Sequence, residues 1–512
     1  MSKDSKVGTV YLVGAGPGDP ELITVRGQRR LSEADVVLHD ALVHPDLLKC
    51  CRPDAEIQYV GKRAGRTEER QAAINARLIA AATSGKSVVR LKGGDPFLFG
   101  RGSEEAEALS MAKVPFEVVP GVPSPLAASA YAGISLTHRS LSSSVAYITA
   151  TESADKDESA HDWAKLATAT QTLVIFMGMR KLDTLMELLL AHGRDPLTPA
   201  AVIQSASLPT QRTVVGTVGT IAGEARAAGL GMPALTVIGN AVTLRDVMRW
   251  YDNKPLFGKR VWVTRMAHQA ESLSRLLRDA GADPFECATI RLKPSDEAHL
   301  KALDDALLGI DWIVFTSSNG VRCFFEGLNL CNKDARRLCQ VKVCAIGPAT
   351  AHAIETHGIV PDLMPTTYVA EAVLEALLAW HHGDLSNLRF LIPRAALARE
   401  VLPEGLRAHG AEVDVRPVYE TVRPSDMEVA ELSRALLEGT IDVATFTSSS
   451  TVTNALEMLG KDAVDLLNRV TVACIGPVTA QTARDLGVRV DVVAKRFTTT
   501  GLIEALEAYF IP

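Results

Sequence analysis

Apolar positions from Val7 to about Leu126 fall into short β-rich runs separated by longer stretches with helical spacing. Thr9-Val10-Tyr11-Leu12-Val13, Val36-Val37-Leu38, Ile57-Gln58-Tyr59-Val60 and Ser87-Val88-Val89-Arg90-Leu91 read as strands, and Leu22 to Leu31 reads as a helix. That alternation predicts a parallel α/β sheet. The strands run into Gly14-Ala15-Gly16-Pro17-Gly18-Asp19-Pro20, His39-Asp40, Gly61-Lys62-Arg63-Ala64-Gly65-Arg66 and Lys92-Gly93-Gly94-Asp95. Ligands of open α/β sheets collect at the carboxyl ends of strands, so all four turns are candidate site segments. Pro120-Gly121-Val122-Pro123-Ser124-Pro125 reads as a hinge, with a helix over Ala127 to Tyr131 after it. A second α/β section extends to about Trp250; its strand Thr172-Leu173-Val174-Ile175-Phe176 ends at Met177-Gly178-Met179. The acidic, Ser-rich piece from Glu152 to Ser159 reads as a solvated loop, and Asp252 to Lys259 as a linker.

Beyond the linker the chain repeats itself. Asp311-Trp312-Ile313-Val314-Phe315-Thr316-Ser317-Ser318 recurs as Asp442-Val443-Ala444-Thr445-Phe446-Thr447-Ser448-Ser449. Val343-Cys344-Ala345-Ile346-Gly347-Pro348-Ala349-Thr350-Ala351 recurs as Val472-Ala473-Cys474-Ile475-Gly476-Pro477-Val478-Thr479-Ala480. Each copy reads as strand, hydroxyl-rich turn, helix, strand, Gly-Pro turn, helix, the layout of a small parallel α/β lobe. Thr316, Ser317, Thr447, Ser448, Thr350 and Thr479 all stand where a hydroxyl can cap the following helix. Hydroxyl-bearing helix N-termini on two lobes also suit carboxylate ligands.

At 512 residues the chain exceeds one ordinary core, and typical domain sizes predict about three or four domains. Hydrophobic residues make up 47% and charged residues 22%, the balance of a soluble globular protein. A net charge of -6 gives no support for a general nucleic-acid surface. The eight cysteines form no C-x-x-C pair and none lies near a histidine at metal-ligand spacing, so they read as reduced thiols and no metal is expected. The polar start Met1-Ser2-Lys3-Asp4-Ser5-Lys6 leads directly into a strand, and no apolar run reaches the ~20 residues of a membrane span. A cytoplasmic location is expected.

The stretch Leu91 to Gly102 is the strongest chemical signal. Two glycines and an acid just after a strand describe a backbone that bends beside a ligand, with Asp95 placed to accept hydrogen bonds from a ribose or an amino group. A dinucleotide site is a poor match, because the third glycine of G-x-G-x-x-G is missing after Gly14 and Gly16, and Pro17 and Pro20 delay the helix.

The segment from Val7 to about Trp250 resembles the uroporphyrinogen-III C-methyltransferases, the tetrapyrrole methylases that form precorrin-2. The resemblance rests on Val13 to Thr24, Tyr59-Val60-Gly61-Lys62-Arg63-Ala64-Gly65, Leu91 to Gly102, and Tyr131-Ala132-Gly133-Ile134 with Leu136-Thr137-His138-Arg139. It implies a two-domain, dimeric enzyme (sub-domains about 7–120 and 121–250) that holds S-adenosyl-L-methionine between its halves. Carried over by position, the cofactor contacts would be Pro17, Gly93, Gly94, Asp95, Leu98, Pro123, Ser124, Met177 and Ala206. Position 123 is usually Thr in the family and here is Pro, and position 206 is often Gly and here is Ala. Asp40 and Lys62 match the family's acid/base pair, whereas the residues alone would allow Asp40 to cap a helix and Lys62 to be solvated. Lys62, Arg63, Arg66, Arg101, His138 and Arg139 near these loops suit a ring that carries eight carboxylates.

From about Lys259 to Ala508 the chain resembles the uroporphyrinogen-III synthases, on Val261-Trp262-Val263-Thr264-Arg265, Leu391-Ile392-Pro393-Arg394, Pro417-Val418-Tyr419-Glu420-Thr421 and the repeated turns. The implied fold is two-lobed: about 259–287 with 423–512 in one lobe, 288–422 in the other, following a linker at 251–258. The implied catalytic residues are Tyr419, helping a hydroxyl to leave, with Thr350 and Thr479 facing the cleft; Tyr419 also reads as a core tyrosine at a strand end.

Together these expectations describe a bifunctional enzyme of α/β class. Its second half would close hydroxymethylbilane to uroporphyrinogen III, and its first half would methylate that ring at C2 and C7 to precorrin-2, without nucleic-acid or membrane partners. The alternatives are a second half that only binds tetrapyrrole, a methylase acting elsewhere on the ring, and an oxidoreductase, for which no segment stands ahead of Val7.

Overall fold

The computed structural model describes residues 7–61, 71–151 and 161–511. The loop expected from Glu152 to Ser159, and Lys62, Arg63 and Arg66, lie outside the described residues. Among the described residues twenty strands, numbered in chain order, form four five-stranded sheets. The first contains β1 (Val10–Gly14), β2 (Val36–His39), β3 (Glu56–Tyr59), β4 (Val88–Lys92) and β5 (Phe116–Val119). Its order is β3-β2-β4-β1-β5, and every pairing is parallel. Apolar side chains of these strands alternate between two cores: Val10, Leu12, Val36, Leu38 and Val88 face one, and Val13, Val37, Val89 and Leu91 the other.

The second sheet contains β6 (Val145–Thr149), β7 (Thr172–Phe176), β8 (Pro199–Gln204), β9 (Arg212–Thr217) and β10 (Ala234–Ile238), in the order β6-β7-β10-β8-β9. Only β6 and β7 pair in parallel; the other three pairings are antiparallel. Two helices differ from their sequence expectation. The helix expected over Leu22 to Leu31 runs Val25–Glu33, because Asp19 caps a separate short turn at Pro20–Leu22 and Thr24 caps a fresh start, accepting from the Gly27 N–H at 3.1 Å. The helix expected over Ala127 to Tyr131 starts earlier, at Ser124, since Pro125 fits a first turn, and it ends at Gly133, whose φ of 67° is the left-handed stop glycine tolerates.

The remaining strands are β11 (Arg260–Val263), β12 (Asp283–Glu286), β13 (Arg291–Pro294), β14 (Trp312–Phe315), β15 (Lys342–Ala345), β16 (Arg389–Ala395), β17 (Glu412–Val422), β18 (Val443–Phe446), β19 (Thr471–Cys474) and β20 (Val492–Val493). They form one sheet in the order β12-β11-β18-β19-β20 and another in the order β13-β17-β16-β14-β15. The repeated runs are β14 with β15 and β18 with β19, each pair parallel. Against the parallel expectation, β13 pairs antiparallel with β17 at a sheet edge. By contacts the chain forms two units: Met1–Val261 with Ser274–Pro284 and Ile503–Pro512, and Trp262–Leu273 with Phe285–Leu502. No helix of the described residues is long and apolar enough to cross a membrane.

Candidate functional site

In the first unit, three chain segments meet backbone to backbone. A Cβ at Gly14 would lie 2.5 Å from the Gly121 Cα and 2.7 Å from the Gly94 carbonyl oxygen, and one at Gly121 only 2.3 Å from that oxygen. No residue but glycine fits at either position. The Gly94 N–H donates to the Gly16 carbonyl at 2.8 Å, so the turn after β4 is tied to the turn after β1. Gly94 itself has φ 69°, and a side chain there would occupy space bounded by the Ser124 nitrogen at 3.7 Å and the Pro123 Cα at 3.9 Å. Both oxygens of Asp95 accept backbone N–H groups, from Phe97 at 2.8 Å and Gly121 at 3.0 Å, which leaves each oxygen a further lone pair.

This arrangement brings Pro17, Gly93, Gly94, Asp95, Pro123 and Ser124 into one locality. Gly18, next to Pro17, abuts the Ala206 carbonyl, and Leu98 and Ala206 pack against the same core as Phe176. Phe176 in turn meets Phe99 edge-on at 4.7 Å, and Met177 follows it with φ 54° and its side chain half-exposed. Pro123 stands at the start of its helix without a side-chain cap.

Asp40 sits at the end of β2, beside β4. It caps no helix: the short helix Pro45–Leu48 is capped by His44. Its carboxylate instead accepts a hydrogen bond from the Arg90 guanidinium. Arg90 and Lys92 alternate with Val89 and Leu91 along β4, so both point to the face covered by the helix Gly102–Met111. There each contacts the wholly buried Glu105, from Arg90 Nε at 3.0 Å and from Lys92 Nζ at 3.1 Å. Burial pushes Lys92 below the ordinary lysine value and Arg90 adds to the fall, with Glu105 and Asp40 opposing it. For Arg90, burial also works downward, but the charges of Asp40 and Glu105 prevail and raise it. Arg101 pairs with Glu104, and His138 and Arg139 are exposed. Lys62 lies outside the described residues.

In the second unit, two of the six hydroxyl candidates cap helices. Ser317 accepts from the Gly320 N–H at 3.0 Å, at the start of the helix Ser318–Leu330. Ser448 and Thr451 cap each other reciprocally at the start of Ser449–Leu459. Thr350 and Thr479 do not cap: Gly347 and Gly476 hold the cap positions, and both threonines are buried three residues further on. Tyr419 lies in β17, 7% exposed within an apolar core, its hydroxyl 3.2 Å from that of Ser317.

The sequence reading missed Arg90, Lys92 and Glu105 as supports of Asp40. The signal was present as a charged residue inside the apolar run Val88-Val89-Arg90-Leu91. The Ser317 contact to Tyr419 had no local signal, since the two lie 102 positions apart.

These features define a two-part α/β protein with a candidate small-molecule site at strand ends in its first part and a repeated hydroxyl-bearing lobe in its second. Residues 9–222 match the family described as Tetrapyrrole (Corrin/Porphyrin) Methylases, and residues 271–504 match the family described as Uroporphyrinogen-III synthase HemD. Porphyrin biosynthesis protein HemD of Ruminiclostridium josui is 37% identical over 503 residues, 98% of this chain and 97% of that one. Uroporphyrinogen-III C-methyltransferase of Bacillus subtilis (strain 168) is 39% identical over 355 residues, 69% of this chain and 72% of that one. A solved uroporphyrin-III C-methyl transferase from Thermus thermophilus, complexed with S-adenyl homocysteine, is 40% identical and covers 46% of this chain and 100% of that one, with a TM-score of 0.40. The chain belongs to the tetrapyrrole-biosynthesis proteins in which a tetrapyrrole methylase is joined to a uroporphyrinogen-III synthase. The methyl donor of its methylase family is S-adenosylmethionine.

Proposed function

We propose that the first unit transfers methyl groups from S-adenosylmethionine to C2 and C7 of uroporphyrinogen III, giving precorrin-2, and that the synthase half makes that ring from hydroxymethylbilane. The carrying observation is the placement of Asp40, fixed by buried Arg90, beside the glycine turn of β4: a Cβ at Gly93 would lie 3.1 Å from the Leu42 Cβ. The residues fit the cofactor, for the space over Gly94 is one a side chain would fill and Asp95 retains acceptor capacity. Pro17, Gly93, Gly94, Asp95, Leu98, Pro123, Ser124, Met177 and Ala206 would hold it. When bound, it supplies a methyl group from its sulfonium centre.

Positioning then provides most of the acceleration. Methylation leaves the attacking pyrrole carbon saturated and its ring a cationic imine; Asp40 receives the proton which that cation then loses from its nitrogen or the adjacent meso carbon, and Arg90 orients the carboxylate for that step. Lys62 is its acid partner, and Arg101, His138 and Arg139 balance substrate carboxylates. In the synthase half, Tyr419 assists departure of the bilane hydroxyl, with Thr350 and Thr479 as further contacts. The methylase works as a homodimer, which sedimentation would check. Incubation with hydroxymethylbilane, with and without S-adenosylmethionine, followed by isomer-resolving chromatography and mass measurement, tests both activities. Type III ring without cofactor and a dimethylated product with it are expected; type I ring alone would replace the synthase with a tetrapyrrole-binding module.

A further inference from the structure

The internal repeat extends beyond the two motifs that reveal it. Asp362 and Asp491 stand 129 positions apart, and each accepts the amide of the second residue of a repeated strand: Val343 N–H at 2.8 Å and Val472 N–H at 2.9 Å. Six residues after each aspartate comes an aromatic, Tyr368 and Phe497, and two residues later a helix begins, Ala370–Trp380 and Thr499–Phe510.

Both rings lie on the Gly-Pro turns. A Cβ at Gly347 would come within 3.0 Å of the Tyr368 Cγ, and one at Gly476 within 3.1 Å of the Phe497 Cδ1. These glycines have φ -173°, extended backbone open to any residue, so it is the ring and not the dihedral that demands glycine. Neither aromatic joins a core: Tyr368 is 56% and Phe497 63% exposed. An aromatic seated on a glycine, with its outer side in solvent, is unfavourable for a fold that gains nothing from it, yet the arrangement occurs twice at one spacing. In each copy the same turn leads three residues later to a buried threonine, Thr350 or Thr479.

We propose that Tyr368 and Phe497 are substrate-binding residues of the synthase half, each stacking one pyrrole ring of the linear tetrapyrrole over its Gly-Pro turn. This rests on the synthase reading above. A pyrrole is flat, electron-rich and apolar across its face, while its carboxylate arms stay in water, so an aromatic with one face covered by glycine and the other open is its natural partner. Two such rings, one per lobe, fix two pyrroles of a flexible chain before ring closure, reducing the loss of conformational freedom on binding.

The test measures type III ring formation by the full-length enzyme and by Tyr368→Leu, Phe497→Leu and the double variant. Each single change is expected to raise KM for hydroxymethylbilane about fivefold, and the double about twenty-fivefold, with the rise absent in Tyr368→Phe and Phe497→Tyr. Gly347→Ala, which displaces the Tyr368 ring without removing it, is expected to raise KM by a smaller factor. Methyl transfer to supplied uroporphyrinogen III serves as the internal control and stays unchanged. If wild-type enzyme makes type III ring and the Leu variants match its KM, the stacking role is overturned while the synthase reading stands. If wild-type enzyme makes no type III ring, the reading itself fails.

Discussion

The two candidate sites are built from different materials. In the first unit, a carboxylate is held by a buried guanidinium, which shares Glu105 with a buried lysine, and the chain around it is pinned by glycines packed backbone on backbone. In the second unit, the candidate groups are hydroxyls and aromatic rings at helix starts, and the Tyr419 hydroxyl meets that of Ser317. A site that must hold a defined charge for proton transfer needs a network that suppresses alternatives. A site that mainly imposes a shape on a reactive chain can distribute its work over many weak contacts. Single substitutions should therefore be severe in the first site and mild in the second.

The largest expected effect is on Glu105→Gln. It leaves Arg90 and Lys92 buried against one carboxylate, and removing one partner of a buried ion network costs about 3–5 kcal/mol. Chemical denaturation followed by the loss of methyltransferase activity measures it; a change below about 1 kcal/mol would mean that water already screens the network. Next comes Asp40→Asn, which keeps the shape and removes the base. Methyl transfer should fall about 10²- to 10⁴-fold with ring closure by the same protein unaffected, as parallel assays would read. An equal fall in both activities would erase the contrast between the sites.

Smaller is Ser317→Ala, which deletes a helix cap and the hydroxyl partner of Tyr419 and should cost about 1 kcal/mol in thermal unfolding. Ser448→Ala removes the matching cap in the other repeat, where the hydroxyl meets Ser450 and a reciprocal Thr451 cap in place of a tyrosine; a larger loss for Ser317→Ala than for Ser448→Ala would point to the Tyr419 contact. Tyr419→Phe should have the least effect, lowering ring closure less than about tenfold, since the hydroxyl assists a group that leaves readily. A loss as large as that of Asp40→Asn would show that the second site also depends on one proton donor.

Much of this architecture was legible in the sequence because strands of buried parallel sheets appear as apolar runs ended by glycine or acidic turns, as at Val10–Gly14 and Val88–Lys92. The antiparallel β13 was not, for Arg291–Pro294 is an exposed edge with no apolar alternation to betray it. The glycines of the first site were visible as motifs, but the reason for Gly14 and Gly121 lies in their mutual approach, which no local pattern encodes. Asp40 was likewise visible and its support was not, since Arg90 reaches it across 50 positions through adjacency of β2 and β4. The threonines at 350 and 479 were assigned to the wrong turn position because a Gly-Pro pair can itself begin a helix, leaving the hydroxyl free of capping.

The meeting of Gly14, Gly94 and Gly121 also bears on how such a chain can diverge. Where side chains separate two segments, a change in one can be absorbed by a change in the other, and spacing drifts over many generations. Here there is nothing between the segments to exchange, so their separation is set by van der Waals contact of backbone atoms, and a side chain added at Gly14 or Gly121 has nowhere to go. Pro123 and Ala206, near that fixed point, are not locked in this way, so side chains there can reshape the cofactor pocket proposed above without disturbing the frame of glycines.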